Sequence, residues 1–313
     1  MKFRLFIPLA LLMSCQTVKK AEEVQGANSL LEDVKTLSSD AYQGRKTGTD
    51  GAALARTFLK KRLSELGLSN YGGLQHFEQP FKAKDRTGKM VDAKNLIAYI
   101  PGKSPEIIVI SGHYDHLGVI NEEIYNGADD NASGVAAMLN IAAHYKKSKP
   151  DHTLVFAFFD AGEFDWQGSG YFVDHAPFDL KKVLLNVNLD MISHNEKNEL
   201  YAAGTFTNPQ LKKYLTHTQP NVKIMLGHDN PEFNVDDWTN QSDQGAFHAK
   251  GIPFLYFGVE DHKDYHKASD KFENIQPAFF IDAAKAILEI VDNVDKDRDI
   301  QSMYKQKLQM KKQ

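Results

Sequence analysis

Short apolar runs alternate with helix-like stretches through most of this 313-residue chain. Asn95–Ile100, Ile107–Ser111, Leu154–Phe159, Leu184–Leu189 and Ile252–Phe257 read as strands that are apolar at nearly every position, the pattern of strands buried on both faces. Ser29–Leu37 carries Leu30, Leu31, Val34 and Leu37 at helical spacing. Gly51–Leu66 places Leu54, Phe58, Leu59, Leu63 and Leu66 on one face, with Asp50 as a cap and Gly67 as a stop. Ser133–Tyr145 is an Ala-rich helix and Pro277–Val291 a long amphipathic one. Strands apolar on both sides must be covered on both sides. The pattern therefore predicts an α/β fold, a single domain with a mostly parallel central sheet and helices on both faces.

In such sheets ligands collect at the carboxyl ends of the strands, so the residues that follow each strand carry the functional information. Ile107–Ser111 is followed by Gly112-His113-Tyr114-Asp115-His116, Leu154–Phe159 by Asp160-Ala161-Gly162-Glu163, Leu184–Leu189 by Asp190, and Ile252–Phe257 by Gly258 through His266. Four strand ends each leading into His, Asp or Glu point to one shared site. Ahead of the Ala-rich helix, Gly127-Ala128-Asp129-Asp130-Asn131-Ala132-Ser133-Gly134 sets two carboxylates among small residues that let the backbone turn sharply. One such Asp can cap the helix, and a second is free for a metal.

Composition narrows the chemistry. Lys and Arg total 37 and Asp and Glu 41, a net charge of 37 − 41 = −4, which argues against a nucleic-acid footprint. One cysteine excludes an internal disulfide and any thiolate zinc or iron–sulfur centre. A metal here must be held by imidazoles and carboxylates, and the chain has 12 His.

The segments His113-Tyr114-Asp115, Gly127 through Gly134, Asn188-Leu189-Asp190-Met191 and Asp264-Tyr265-His266 together resemble, in order and spacing, the dizinc aminopeptidase family that includes relatives of aminopeptidase Y, glutamate carboxypeptidase II and glutaminyl cyclase. The resemblance runs from about Ser29 to Asn293, and Ala41 through Gly48 is similar to the family's N-terminal Gly-Arg segment. It implies two zinc ions. His113 and Asp190 would hold one, Glu163 and His266 the other, and Asp130, three residues before Ser133, would bridge them. It also implies that Asp115 orients a ligand and that Tyr265 points its hydroxyl at the developing oxyanion. Asp243 falls in a family Ser/Thr-Asp-His segment, with Gln244 in place of the His. With five ligands assigned, His116, His248 and His262 are read as histidines in solvent or beside the ligands. Asp264 and Asp270 read as caps or turn formers, and Trp166 and Trp238 as a pocket lining or an apolar patch.

One position departs from the family, whose corresponding strand leads into Glu-Glu, the first a general base and the second a zinc ligand. Counting back from Gly168-Ser169 puts Glu163 at the ligand position and Gly162 at the base position. Shifting by one would make Phe164 a ligand, which is chemically impossible. A positioned base contributes about 10²–10⁴-fold in rate. The expected function is a zinc-dependent exopeptidase that removes N-terminal residues from a peptide substrate by metal-activated water. Asp160 is expected to stand in for the missing base ahead of Asp165, with Gly162 leaving space where a Glu side chain would lie. The alternatives are a weak or inactive metal-binding pseudopeptidase and a glutaminyl cyclase-like transferase.

The N-terminus reads as an export signal, with Lys2 and Arg4, then apolar Leu5–Met13, then Leu12-Met13-Ser14-Cys15, which resembles a bacterial lipobox. The reading is a signal peptide over residues 1–15, a lipid anchor through Cys15, a polar tether over 16–28, a peptidase-like domain over 29–293 and a charged tail over 294–313. Gln16 after the cysteine suggests the outer membrane.

Overall fold

A computed structural model describes residues 26–300. A helix, α1, runs through residues 26–37, followed by α2 (Asp50–Glu65). The central sheet takes β1 (Ser69–Asn70), β2 (Glu78–Lys84), β3 (Met90–Ile100), β4 (Ser104–His113), β7 (His152–Phe159), β8 (Val183–Leu189), β9 (Glu199–Ala203), β10 (Lys223–Met225) and β11 (Phe254–Gly258). A separate hairpin pairs β5 (Gly118–Ile120) with β6 (Glu123–Tyr125). The remaining helices are α3 (Gly134–Tyr145), α4 (Gln167–Asp174), α5 (Gln244–Ala249) and α6 (Pro277–Asp295).

Strand order is β1-β3-β7-β4-β8-β11-β9-β10, with β2 on the outer side of β3. β7, β4, β8 and β11 are parallel, in register at Ile110↔Phe156, Ile110↔Val187 and Tyr256↔Asn188. β3 joins β7 antiparallel and β9 joins β11 antiparallel. The sheet is thus a parallel centre with antiparallel margins.

Every residue of β7 and of β8 is buried, as strands covered on both faces require. Along β7, Leu154, Phe156 and Phe158 enter the core built with α2, α3 and α6, while Val155, Ala157 and Phe159 enter a second core with Phe172 of α4 and Phe247 of α5. Truncating a ring such as Phe156 to Ala would cost about 3–5 kcal/mol.

Four of the five strands read from sequence lie within β3, β4, β7 and β8, the fifth, Ile252–Phe257, overlaps β11 but starts two residues before it, and the four helices match α1, α2, α3 and α6. Several boundaries differ. Thr49, not Asp50, caps α2, its hydroxyl accepting from the Ala52 N–H at 3.5 Å. Residues 26–28, assigned to the tether, are already helical. At the other end α6 continues to Asp295, and Val294, Asp295 and Ile300 are buried, so the domain extends into the expected tail. Asp295 accepts the N–H groups of Asp151 and His152, which explains why a charged residue there is internal. Cys15 and residues 301–313 lie outside the described residues, and among the described residues no helix is long and apolar enough to cross a membrane.

Arg45 anchors the edge on which the parallel strands end. Its guanidinium is wholly buried and donates to the carbonyls of Tyr114 at 2.8 Å, Leu37 at 2.7 Å, Asn126 at 2.5 Å and Gly127 at 2.9 Å. Burial pushes it down to about 10, partly offset by Asp270, Asp130, Asp115 and Glu163. Gly44 beside it has φ +63°, and a Cβ there would lie 2.3 Å from the Tyr125 carbonyl oxygen, so only glycine fits.

Candidate metal centre

Because β4, β7, β8 and β11 run parallel, their carboxyl ends converge, and the turn before α3 enters the same space. His113 closes β4, and its Nε2 lies 3.4 Å from Asp130 Oδ1 and 3.3 Å from Asp190 Oδ1. His266 Nε2 lies 3.1 Å from Asp130 Oδ2 and 3.6 Å from Glu163 Oε1. Asp130 therefore presents one oxygen to each group. All five residues implied as ligands are brought together, with His113, Asp130, Asp190 and Glu163 largely buried and His266 at the mouth.

These residues fit a pair of divalent cations. Asp190 Oδ1 and Glu163 Oε1 are buried and make no hydrogen bond. Buried carboxylate oxygens left unbonded are costly unless a cation takes them. The acid–imidazole contacts are strong. Burial pushes His113 down, yet Asp190, Asp115 and Asp130 outweigh it and raise it well above its ordinary value. His266 behaves alike, with Asp130 and Glu163 raising it to about 10 against burial. Burial pushes Glu163 up, but the imidazoles of His116, His266 and His113 hold it well below the usual carboxylate range. A cation would take over the charge balance that imidazolium protons otherwise supply.

A surrounding layer fixes the donors. Asp115 accepts the Gly162 N–H at 2.8 Å, the Glu163 N–H at 3.3 Å and the Thr47 hydroxyl at 2.9 Å, and its carbonyl lies 3.2 Å from His113 Nδ1. It thereby ties the end of β4 to the loop after β7. Sequence reading did not single out Ser242, whose hydroxyl donates to Asp190 Oδ2 at 2.7 Å. Asp270, read as a turn former, accepts the N–H groups of Asp129 and Asp130 at 2.8 and 3.0 Å. Asp129 accepts from Ser193 and contacts His262 Nε2 at 2.9 Å, so His262 sits behind the site. Gln244 accepts from Asn188 and donates to the Trp238 carbonyl, a buried polar role that an amide fills. Single-sequence spacing carries no signal for such contacts.

His116, read as lying in solvent or beside the ligands, lies beside them, wholly buried, with Nδ1 3.0 Å from Glu163 Oε1 and 3.7 Å from Asp130 Oδ2. Two expectations need correction. Asp160 does not border the site. It is fully buried and accepts from the hydroxyls of Thr47 and Tyr114 and the N–H of Lys94 and Ala161, with Arg56 at 3.5 Å. A carboxylate so engaged is not free to act on a water above the five donors. Gly162 leaves no vacancy, for a Cβ there would lie 2.5 Å from Cβ and Cγ of His113.

The pocket above the donors holds about 160 Å³ and is bordered by Arg86, Asp165, Trp166, Met191, Gln241 and Tyr265. Tyr265 stacks on His266 with centroids 4.0 Å apart, and burial and the nearby carboxylates push its phenol up. Asp165, Trp166, Met191 and His266 all have φ between 53° and 58°, costly backbone concentrated around the pocket. Trp166 lines the pocket, whereas Trp238 stacks on His228 at 3.6 Å and His248 packs against Phe254.

Comparison with known proteins agrees with this architecture. Residues 95–291 match the model of peptidase family M28. Aminopeptidase YwaD of Bacillus subtilis (strain 168) is 28% identical over 218 residues, 66% of this chain and 46% of that protein. The alkaline phosphatase isozyme conversion protein of Escherichia coli (strain K12) is 24% identical over 187 residues, 56% of this chain and 54% of that protein. The chain spans about half the length of these two relatives. Two solved structures share the fold. A glutaminyl cyclase of Bacteroides thetaiotaomicron gives a TM-score of 0.70 at 17% identity over 85% of this chain and 97% of the other. BSAP, a zinc aminopeptidase from Bacillus subtilis, gives 0.66 at 17% identity over 87% and 96%. With the family match covering more than half of its length, the chain belongs to peptidase family M28.

Proposed function

We propose that the chain is a dizinc exopeptidase acting at the free N-terminus of peptides. One observation carries the reading. Five residues from separate segments converge so that Asp130 faces both His113–Asp190 and Glu163–His266, with unbonded oxygens pointing inward. Bound zinc supplies Lewis acidity and a nucleophilic water at neutral pH. The chain's own residues do the rest. The carboxylates that line the pocket favour the ammonium of a peptide N-terminus. The Tyr265 hydroxyl donates to the carbonyl oxygen as charge builds on it. Asp115 holds the His113 ring and the Gly162–Glu163 backbone in place. Proton transfer falls to Asp165, the carboxylate on the pocket border outside the five-residue donor set.

The test combines metal analysis with aminoacyl-nitroanilide turnover. Two zinc ions per chain and turnover abolished by a chelator support the reading, while less than one ion under zinc-replete conditions overturns it. Gly162 favours a second reading, a pseudopeptidase that grips peptide ends without cutting them. Peptide binding with no turnover in a fully zinc-loaded sample would select it, and ammonia released from a Gln-initiated peptide would select a cyclase instead. We further propose that the chain is exported and lipid-anchored through Cys15, as tested by fatty-acid labelling of wild type and Cys15→Ala.

A further inference from the structure

We propose that His116 is a metal ligand, giving one cation position four protein donors and leaving the open coordination position to the other. This deepens the dizinc reading and rests on it. The donors of the closed position are Asp130 Oδ2, Glu163 Oε1, His266 Nε2 and His116 Nδ1. The open position keeps His113, Asp130 and Asp190.

The geometry supports this in three ways. First, zinc bonds of about 2.0–2.2 Å to N and O in a tetrahedron place neighbouring donors roughly 3.2–3.6 Å apart. His116 Nδ1 lies 3.0 Å from Glu163 Oε1 and 3.7 Å from Asp130 Oδ2, and His266 Nε2 lies 3.1 and 3.6 Å from Asp130 Oδ2 and Glu163 Oε1. Second, His116 Nδ1 and Glu163 Oε1 are close enough for a hydrogen bond, yet their alignment is not that of one, and both atoms are without a hydrogen-bond partner. Two donors that approach without pointing at each other converge on a third point. Third, the His116 ring is wholly buried and packed on Gly127, where a Cβ would lie 2.6 Å from it, so the ring cannot swing out to water. Both ring nitrogens are buried without a hydrogen-bond partner, which is costly, and a cation at Nδ1 removes that cost for one of the two.

The consequence is a division of labour. A site with four protein ligands is coordinatively closed, as structural zinc sites are, whereas three ligands leave room for water or substrate. The His116 side would hold its ion as a fixed charge, and the His113 side would face the substrate.

Zinc-loaded wild type, His116→Ala and His116→Gln, each as the full chain, are dialysed against graded chelator and assayed for metal. We expect wild type to keep two ions, and both variants to release one at a free-zinc level ~100-fold higher than wild type, since losing a direct ligand should cost at least as much as losing an outer partner. Variants that keep both ions at the wild-type midpoint would overturn the proposal. A second readout needs no variant. Cobalt-substituted wild type should show three exchangeable, hyperfine-shifted imidazole N–H resonances in proton NMR, and two would overturn it. Wild type holding fewer than two ions would instead overturn the dizinc reading itself.

Discussion

The His113 imidazole rests directly on Gly162, so closely that a Cβ on the glycine would overlap Cβ and Cγ of the histidine at 2.5 Å. The absence of a side chain at the position where the family resemblance implies a base is therefore coupled to where His113, the proposed metal ligand, sits. We expect Gly162→Ala and Gly162→Glu to displace His113 and weaken zinc binding by about 10–100-fold rather than restore a base. Competition with a fluorescent chelator reads this directly, and a Gly162→Glu protein with unchanged zinc affinity and faster turnover would refute it.

Asp165 and Asp160 should separate cleanly. Asp165 borders the pocket, while Asp160 is enclosed by Thr47, Tyr114 and the Lys94 N–H. Asp165→Asn should lower kcat by about 10²-fold or more with zinc retained. Asp160→Asn should lose roughly 1–3 kcal/mol of stability through a broken buried network, with kcat per folded molecule preserved. Steady-state kinetics alongside denaturant titration distinguishes the two.

Arg45 joins four carbonyls through one planar fork. A lysine keeps the charge but cannot reach them together. Arg45→Lys should cost about 3–5 kcal/mol, because it leaves buried carbonyls unpaired and a charge poorly compensated. Its effect should extend to the candidate metal site, since two of those carbonyls belong to Tyr114, which follows His113, and to Gly127, three residues before Asp130. Urea melts with and without zinc measure both effects.

Asp292 gives a pH signature remote from the metals. Burial pushes it up, but His144, Tyr145 and Lys296 outweigh burial and lower it from 3.8 to about 2. Its Oδ1 accepts the Tyr145 hydroxyl at 2.6 Å, linking α6 to α3. A folded value below the unfolded one means the ionised group stabilises the fold above about pH 4. That contribution fades as pH falls through 2. After allowance for solvent screening, Asp292→Asn should cost about 1 kcal/mol at pH 7, with the gap from wild type closing towards pH 2. Thermal melts across that range would show it, and a constant gap would contradict it.

The sequence alone determined the central strands and the main helices, because each rests on a local signal, and the resemblance of its ordered motifs pointed to five residues that the fold brings together. Leu154–Phe159 is apolar at every position, and that alone demands cover on both faces. His113, Asp130, Glu163, Asp190 and His266 follow strands or precede a helix within ordered motifs, and a parallel sheet must bring such ends to one edge. The margins were less legible. β2 buries Gln79, Phe81 and Ala83 on one side only and contains Pro80, so it lacks the apolar run that marks the centre. Only the tertiary structure decided what lies between side chains distant in sequence. His116 and Asp160 look alike as polar residues next to motif positions, yet one faces Glu163 and the other is locked to Thr47 and Tyr114. In the sequence Gly162 is only a missing side chain, whereas in the fold the His113 ring packs against it. Periodicity and spacing report which face of an element a residue occupies, whereas donor direction, burial and steric overlap depend on contacts made across the fold.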